Sequence, residues 1–238
     1  MLIPLSKAPI ETMLTLKSIS CSNLKNRLQR MGLHTGTELE IMSEDSIQHP
    51  VRVKGPKGEV LLAAGMASKV ITHHDDGHIT PVFEMNPGET GHIEGLTAGS
   101  HLEKSLKILG ISEGDNIELV RCLPPMEYKT VVDGRQTSLT EGMAAKIWGD
   151  CDNTPCQLAT CGKGRLFKVK NILGGPRAVQ TISAAGIRPG STITLESVQP
   201  AKDIRMDNGE RIIIRTKDGL RLHLRIDQAD TLLVEQIQ

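Results

Sequence analysis

The feature that most constrains this chain is a stretch it writes three times. The first copy reads Leu28-Gln29-Arg30-Met31-Gly32-Leu33-His34-Thr35-Gly36-Thr37-Glu38-Leu39-Glu40-Ile41. The second runs from Leu106 through Gly110 and Gly114 to Leu119, the third from Ile182 through Gly186 and Gly190 to Leu195. Aligning Gly32, Gly110 and Gly186 gives periods of 78 and 76 residues. A solenoid repeat is about 20–50 residues long. The longer period predicts three tandem beads with their own cores, over residues 1–72, 79–149 and 157–238.

Ahead of each first glycine the apolar spacing is helical. Leu24, Leu28 and Met31 stand at i, i+4 and i+7, as do Leu102, Leu106 and Leu109, and Ala178, Ile182 and Ala185. Ser22 is a candidate N-cap, Ser100 with Glu103 reads as a capping box, and Pro176 suits a first turn. Gly32, Gly110 and Gly186 fall where a left-handed residue ends a helix without a Cβ penalty. Each unit is therefore predicted to hold one short helix. Past the second glycines (Gly36, Gly114 and Gly190) the period drops to two: Leu39 and Ile41, Ile117 and Leu119, Ile193 and Leu195 alternate with polar residues. A strand, a helix and then several antiparallel strands predict a mainly β fold, a small closed or nearly closed barrel with one helix plugging a gap. The third unit is longer, which predicts an extended hairpin over residues 198–219.

Charge and ring content exclude several function classes. Formal net charge is zero, whereas nucleic-acid binding needs a basic face against phosphates. The four aromatic residues, Phe83, Tyr128, Trp148 and Phe167, are too few for stacking platforms or proline-gripping grooves in three units. No apolar run approaches the ~20 residues that cross a membrane, and the N-terminus lacks the pattern of a signal peptide. A soluble, cytoplasmic protein is expected. No histidine, carboxylate or serine recurs at equivalent places in all three units, so an enzyme is not.

Two linkers carry metal-ligand chemistry. Between units one and two, His73, His74, Asp75 and His78 are candidate ligands, since imidazole and carboxylate suit iron(II), nickel or zinc(II). The plain alternative is a polar linker whose histidines face water. The second linker holds Cys151, Cys156 and Cys161, candidate ligands for zinc, iron or a cluster, or else small buried thiols.

The ordered set Leu-x-x-Met-Gly-Leu, x-x-Gly and strand, then a closing Gly-Met-Ala-x-Lys at Gly65–Lys69 and Gly142–Lys146, resembles the ferrous iron transport protein A (FeoA) domain family. Unit two matches most fully, through Pro87-Gly88-Glu89-Thr90-Gly91, the Leu109-Gly110-Ile111 turn and Ala144-x-x-Ile147. Unit three departs most, with Ala185-Gly186-Ile187 at the turn and Asp227-Gln228 in place of Gly-Met. The resemblance implies three SH3-like small β-barrels and a cytoplasmic accessory role beside the membrane ferrous iron permease FeoB, with no catalytic residues. The rival expectation is a transition-metal sensor or buffer that uses the linker His/Asp and Cys groups.

Overall fold

The same local signals build the same run of elements three times. In a computed structural model, described here for residues 2–43, 49–201 and 211–237, the first copy forms β1 (Ile3–Pro4), β2 (Met13–Ile19), α1 (Ser22–Arg30), β3 (Glu38–Ile41), β4 (Val51–Gly55), β5 (Gly58–Leu62), α2 (Ala64–Ala67) and β6 (Val70–His73). The second forms β7 (Ile79–Pro81), β8 (Thr90–Leu96), α3 (Ser100–Ile108), β9 (Asn116–Cys122), β10 (Met126–Val132), β11 (Arg135–Thr140), α4 (Glu141–Ala144) and β12 (Ile147–Cys151). The third forms β13 (Thr154–Gln157), β14 (Leu166–Ile172), α5 (Pro176–Ala184), β15 (Thr192–Pro200), β16 (Arg211–Thr216), β17 (Arg221–Arg225), α6 (Ile226–Ala229) and β18 (Leu232–Gln236).

Gly32, Gly110 and Gly186 follow α1, α3 and α5 at φ of +94°, +80° and +82°, the left-handed region that a Cβ disfavours. Pro176 opens α5. The other start signals resolve differently. Cys21 and Gly99 occupy the N-cap positions, and neither cap makes a side-chain hydrogen bond. Ser22 and Ser100 are already the first helical residues. Glu103 does not reach back to a cap; it pairs with Lys107 one turn on, Nζ to Oε1 2.9 Å.

The strands form three six-stranded antiparallel sheets, and no sheet belongs to one repeat. Sheet one has the order β5-β4-β9-β8-β6-β7, sheet two β11-β10-β15-β14-β12-β13, and sheet three β17-β16-β3-β2-β18-β1. Each therefore takes three strands from one repeat and three from the next, and the last repeat closes on the first. The registers are equivalent: Leu119 faces Val53, Leu195 faces Thr130, and Ile41 faces Ile214. The chain passes from sheet to sheet at residues 42–50, 123–125 and 201–210, of which 44–48 and 202–210 lie outside the described residues.

This exchange corrects the expectation of self-contained beads. One core joins Val51, Val53 and Leu62 of the first repeat to Ile93, Leu106 and Leu119 of the second. Another joins Leu14, Leu16 and Leu28 to Ile214, Leu222 and Val234 from the far end of the chain. A third joins Tyr128 and Leu139 to Phe167 and Ile193. Each core still draws on six strands, but three come from each of two repeats, so no repeat buries its apolar strands alone. The predicted extended hairpin divides as well. β15 runs on to Pro200 in sheet two, the β16–β17 hairpin lies in sheet three, and the remainder falls on residues 202–210.

Candidate metal centre at the first repeat junction

β6 ends one repeat and β7 begins the next, joined by a tight turn. The His74 N–H donates to the His78 carbonyl at 3.0 Å, the Gly77 N–H donates to the His74 carbonyl at 3.0 Å, and Gly77 takes φ of +89°. The segment expected to be a loose linker is thus a hairpin of sheet one. Strand alternation sends His73 and His74 to opposite faces, where each meets carboxylates from the β8 side.

Two groups of ligand-type side chains result, each with its donor atoms within 4.8 Å of one another. The first is His74, His78 and Glu89. The His74 side chain is only 3% exposed, and its Nδ1 lies 2.8 Å from Glu89 Oε1; His78 Nε2 lies 3.4 Å from the same oxygen. The two imidazoles stack, with centroids 3.9 Å apart and planes 8° from parallel. Burial, and then the neighbouring His78, push the His74 pKa down, against the opposite pull of Glu89 and Asp76. The second group, His73, His92 and Glu94, is more open. His73 and His92 are cross-strand partners, and Glu94 Oε2 lies 3.5 Å from His73 Nδ1 and 3.1 Å from His92 Nε2.

The outward atoms of the first group are each held. His74 Nε2 sits 3.3 Å from the hydroxyls of Thr72 and Thr80. The Thr72 hydroxyl also donates to the Thr80 carbonyl at 2.9 Å. His78 Nδ1 bonds Asp76 Oδ1, which turns Nε2 inward. Glu89 Oε2 accepts from the Asn86 N–H at 2.7 Å and from Asn86 Nδ2 at 3.3 Å, leaving Oε1 facing the imidazoles. Such outer partners fix ring orientation and tautomer in metal sites. Space is kept by Gly91: a Cβ there would stand 2.8 Å from the His73 carbonyl oxygen and 3.6 Å from His74 Nδ1.

Of the sequence candidates, the fold brings His74 and His78 together and places His73 in the neighbouring group, while Asp75 is exposed on the turn and belongs to neither. Sequence reading missed Glu89, Glu94 and His92. The spacing His92-x-Glu94 on an alternating strand was the available signal for the second group. Glu89 gave none, because it reaches His74 only through sheet pairing.

The cysteines lie at the equivalent junction of sheet two. Cys161 is buried in that core, with Cys151 and Cys156 half-buried against it. Burial, and then Cys151, raise the Cys156 thiol, and burial with the Cys151 contact pushes Cys161 up to about 12. Neither ligand group found among the described residues includes a cysteine. The sites corresponding to His73 and Glu94 hold plain ion pairs elsewhere: Asp150 with Lys170 at 2.6 Å, and Glu235 with Lys17 at 3.0 Å.

Three copies of one element order, traded between neighbours into three antiparallel sheets, define a tandem-repeat β protein. A family model described as the FeoA domain matches residues 3–72, 80–150 and 156–236, and the chain belongs to that family, as three tandem copies. FeoA domains imply involvement in ferrous iron transport. No curated protein and no solved structure matches the chain. No helix among the described residues is long and apolar enough to cross a membrane.

Proposed function

We propose that this chain is a non-enzymatic accessory or regulatory protein of ferrous iron transport, working in the cytoplasm by contact with a partner such as the FeoB-type permease. Each six-stranded sheet, with its helix, acts as one SH3-like barrel. The observation that carries the reading is the cyclic strand exchange. It unites three related modules in one body, so a partner that engages one module meets the others at high effective concentration. The iron chemistry of transport then belongs to the permease.

The test is binding of the purified chain to detergent-solubilised FeoB-type permease from the same host, measured by interferometry. Saturable binding with Kd below about 10 μM is expected, together with altered iron(II) uptake in cells lacking the chain. No binding at that level, with unchanged uptake, would sink the proposal.

A further inference from the structure

At the first repeat junction three ligand-type atoms lie within 4.8 Å of one another. His74 Nδ1 and His78 Nε2 are both turned toward Glu89 Oε1, at 2.8 and 3.4 Å. His74 Nδ1 is buried, and no aligned hydrogen bond joins it to the Glu89 carboxylate beside it. A positive centre among them would be met by two imidazole nitrogens and a carboxylate oxygen.

We propose that His74 Nδ1, His78 Nε2 and Glu89 Oε1 bind one divalent first-row transition metal ion, iron(II) or zinc(II). Two imidazoles and one carboxylate are a donor set that both ions accept, with the remaining coordination positions left to water. Three further features of the molecule support it. Every ligand has its outer atom anchored, by Thr72 and Thr80, by Asp76, and by Asn86. Gly91 keeps the side of His74 Nδ1 free of a side chain. The corresponding positions in the other sheets hold no such set: where sheet one has His74 and Glu89, the pairing registers place Cys151 and Arg165 in sheet two and Gln236 and Thr12 in sheet three. The site draws on both repeats that build sheet one, since His74 directly follows β6 while Glu89 leads into β8. Metal binding would therefore clamp the junction where β6 and β8 pair.

The test uses the full chain freed of metal by chelation and titrated anaerobically with iron(II), zinc(II) and, as a spectroscopic probe, cobalt(II). One tight equivalent is expected, with Kd near or below 1 μM. Zinc(II) should bind more tightly than iron(II), following the general affinity order. His78→Ala and Glu89→Gln change half-exposed side chains and should weaken binding by 100-fold or more without unfolding the protein. Asp76→Asn should weaken it by about 10-fold through the lost orientation of His78. His92→Ala, and the triple change of Cys151, Cys156 and Cys161 to serine, should retain the tight equivalent. A rise in thermal midpoint on adding zinc(II), absent in Glu89→Gln, is the expected second readout. Absence of binding tighter than about 10 μM, or a tight equivalent that survives in both His78→Ala and Glu89→Gln, would overturn the proposal.

Discussion

Glu141 stands at the first position of α4, where α2 has Ala64 and α6 has Ile226. Two apolar relatives show what that corner of each unit prefers. The Glu141 side chain is buried and Oε2 has no hydrogen-bond partner. Burial pushes its pKa up to about 7, only partly offset by the Met126 backbone and the Arg52 charge. A carboxyl raised in the folded state favours folding most where it is protonated in both states. That contribution is full below the unfolded value of 4.5 and is lost as pH rises through about 7. Glu141→Gln is expected to flatten the stability profile between those values and to leave the protein more stable than the parent at pH 8, read from urea midpoints across pH. A parent profile without that decline would count against the burial argument. At this scale the sequence was partly legible. The two histidines of the proposed metal site stood out by composition alone, but their carboxylate partner did not. Glu89 lies on the far side of an unremarkable Pro-Gly turn, and only the pairing of β6 with β8 brings it to His74.

Gln157, the last residue of β13, shows how elements of different sheets are joined. The Leu61 N–H donates to Gln157 Oε1 at 2.8 Å, and Gln157 Nε2 donates to the carbonyls of Leu61 at 2.8 Å and Ala145 at 2.6 Å. The side-chain amide serves β5 as another strand's peptide group would. Gln157→Ala would leave both backbone groups of Leu61 buried without partners, at about 1–3 kcal/mol each. A loss of roughly 2–4 kcal/mol is the expected outcome in chemical denaturation, and a change under about 0.5 kcal/mol would show that water replaces the amide. Helices and strands were readable because their signals are local: an apolar period of 3.6 or two, and a glycine where the helix must stop. The exchange of strands was not. A hairpin such as β4–β5 presents the same alternating face to its own β3 or to the next repeat's β9. Periodicity is satisfied either way.

For the whole molecule, cyclic exchange means that sheets one and two are continuous in sequence while sheet three is closed by the two ends of the chain. β1 pairs with β18, Ile3 opposite Val234, so the first and last described strands lie side by side. A circular permutant that joins them by a short linker and opens the chain between residues 43 and 49 would make sheet three continuous. Unfolding within about 1 kcal/mol of the parent is expected. A chain ended after Pro200 should behave oppositely. It loses β16–β18, bares Leu14, Leu16 and Leu39, and should show free amide exchange through β1–β3 and α1 while sheets one and two stay protected. Uniform protection in that truncated chain would argue that the first repeat can close on itself. The exchange also sets a birth order. β1–β3 leave the ribosome well before their partners β16–β18 are made. At about 5–20 residues per second, the oldest strands wait roughly ten seconds or longer, carrying apolar side chains and unpaired edges. Two neighbours are complete before the founding strands find a mate, and a ribosome stalled beyond Pro200 leaves them open to the strands of another chain.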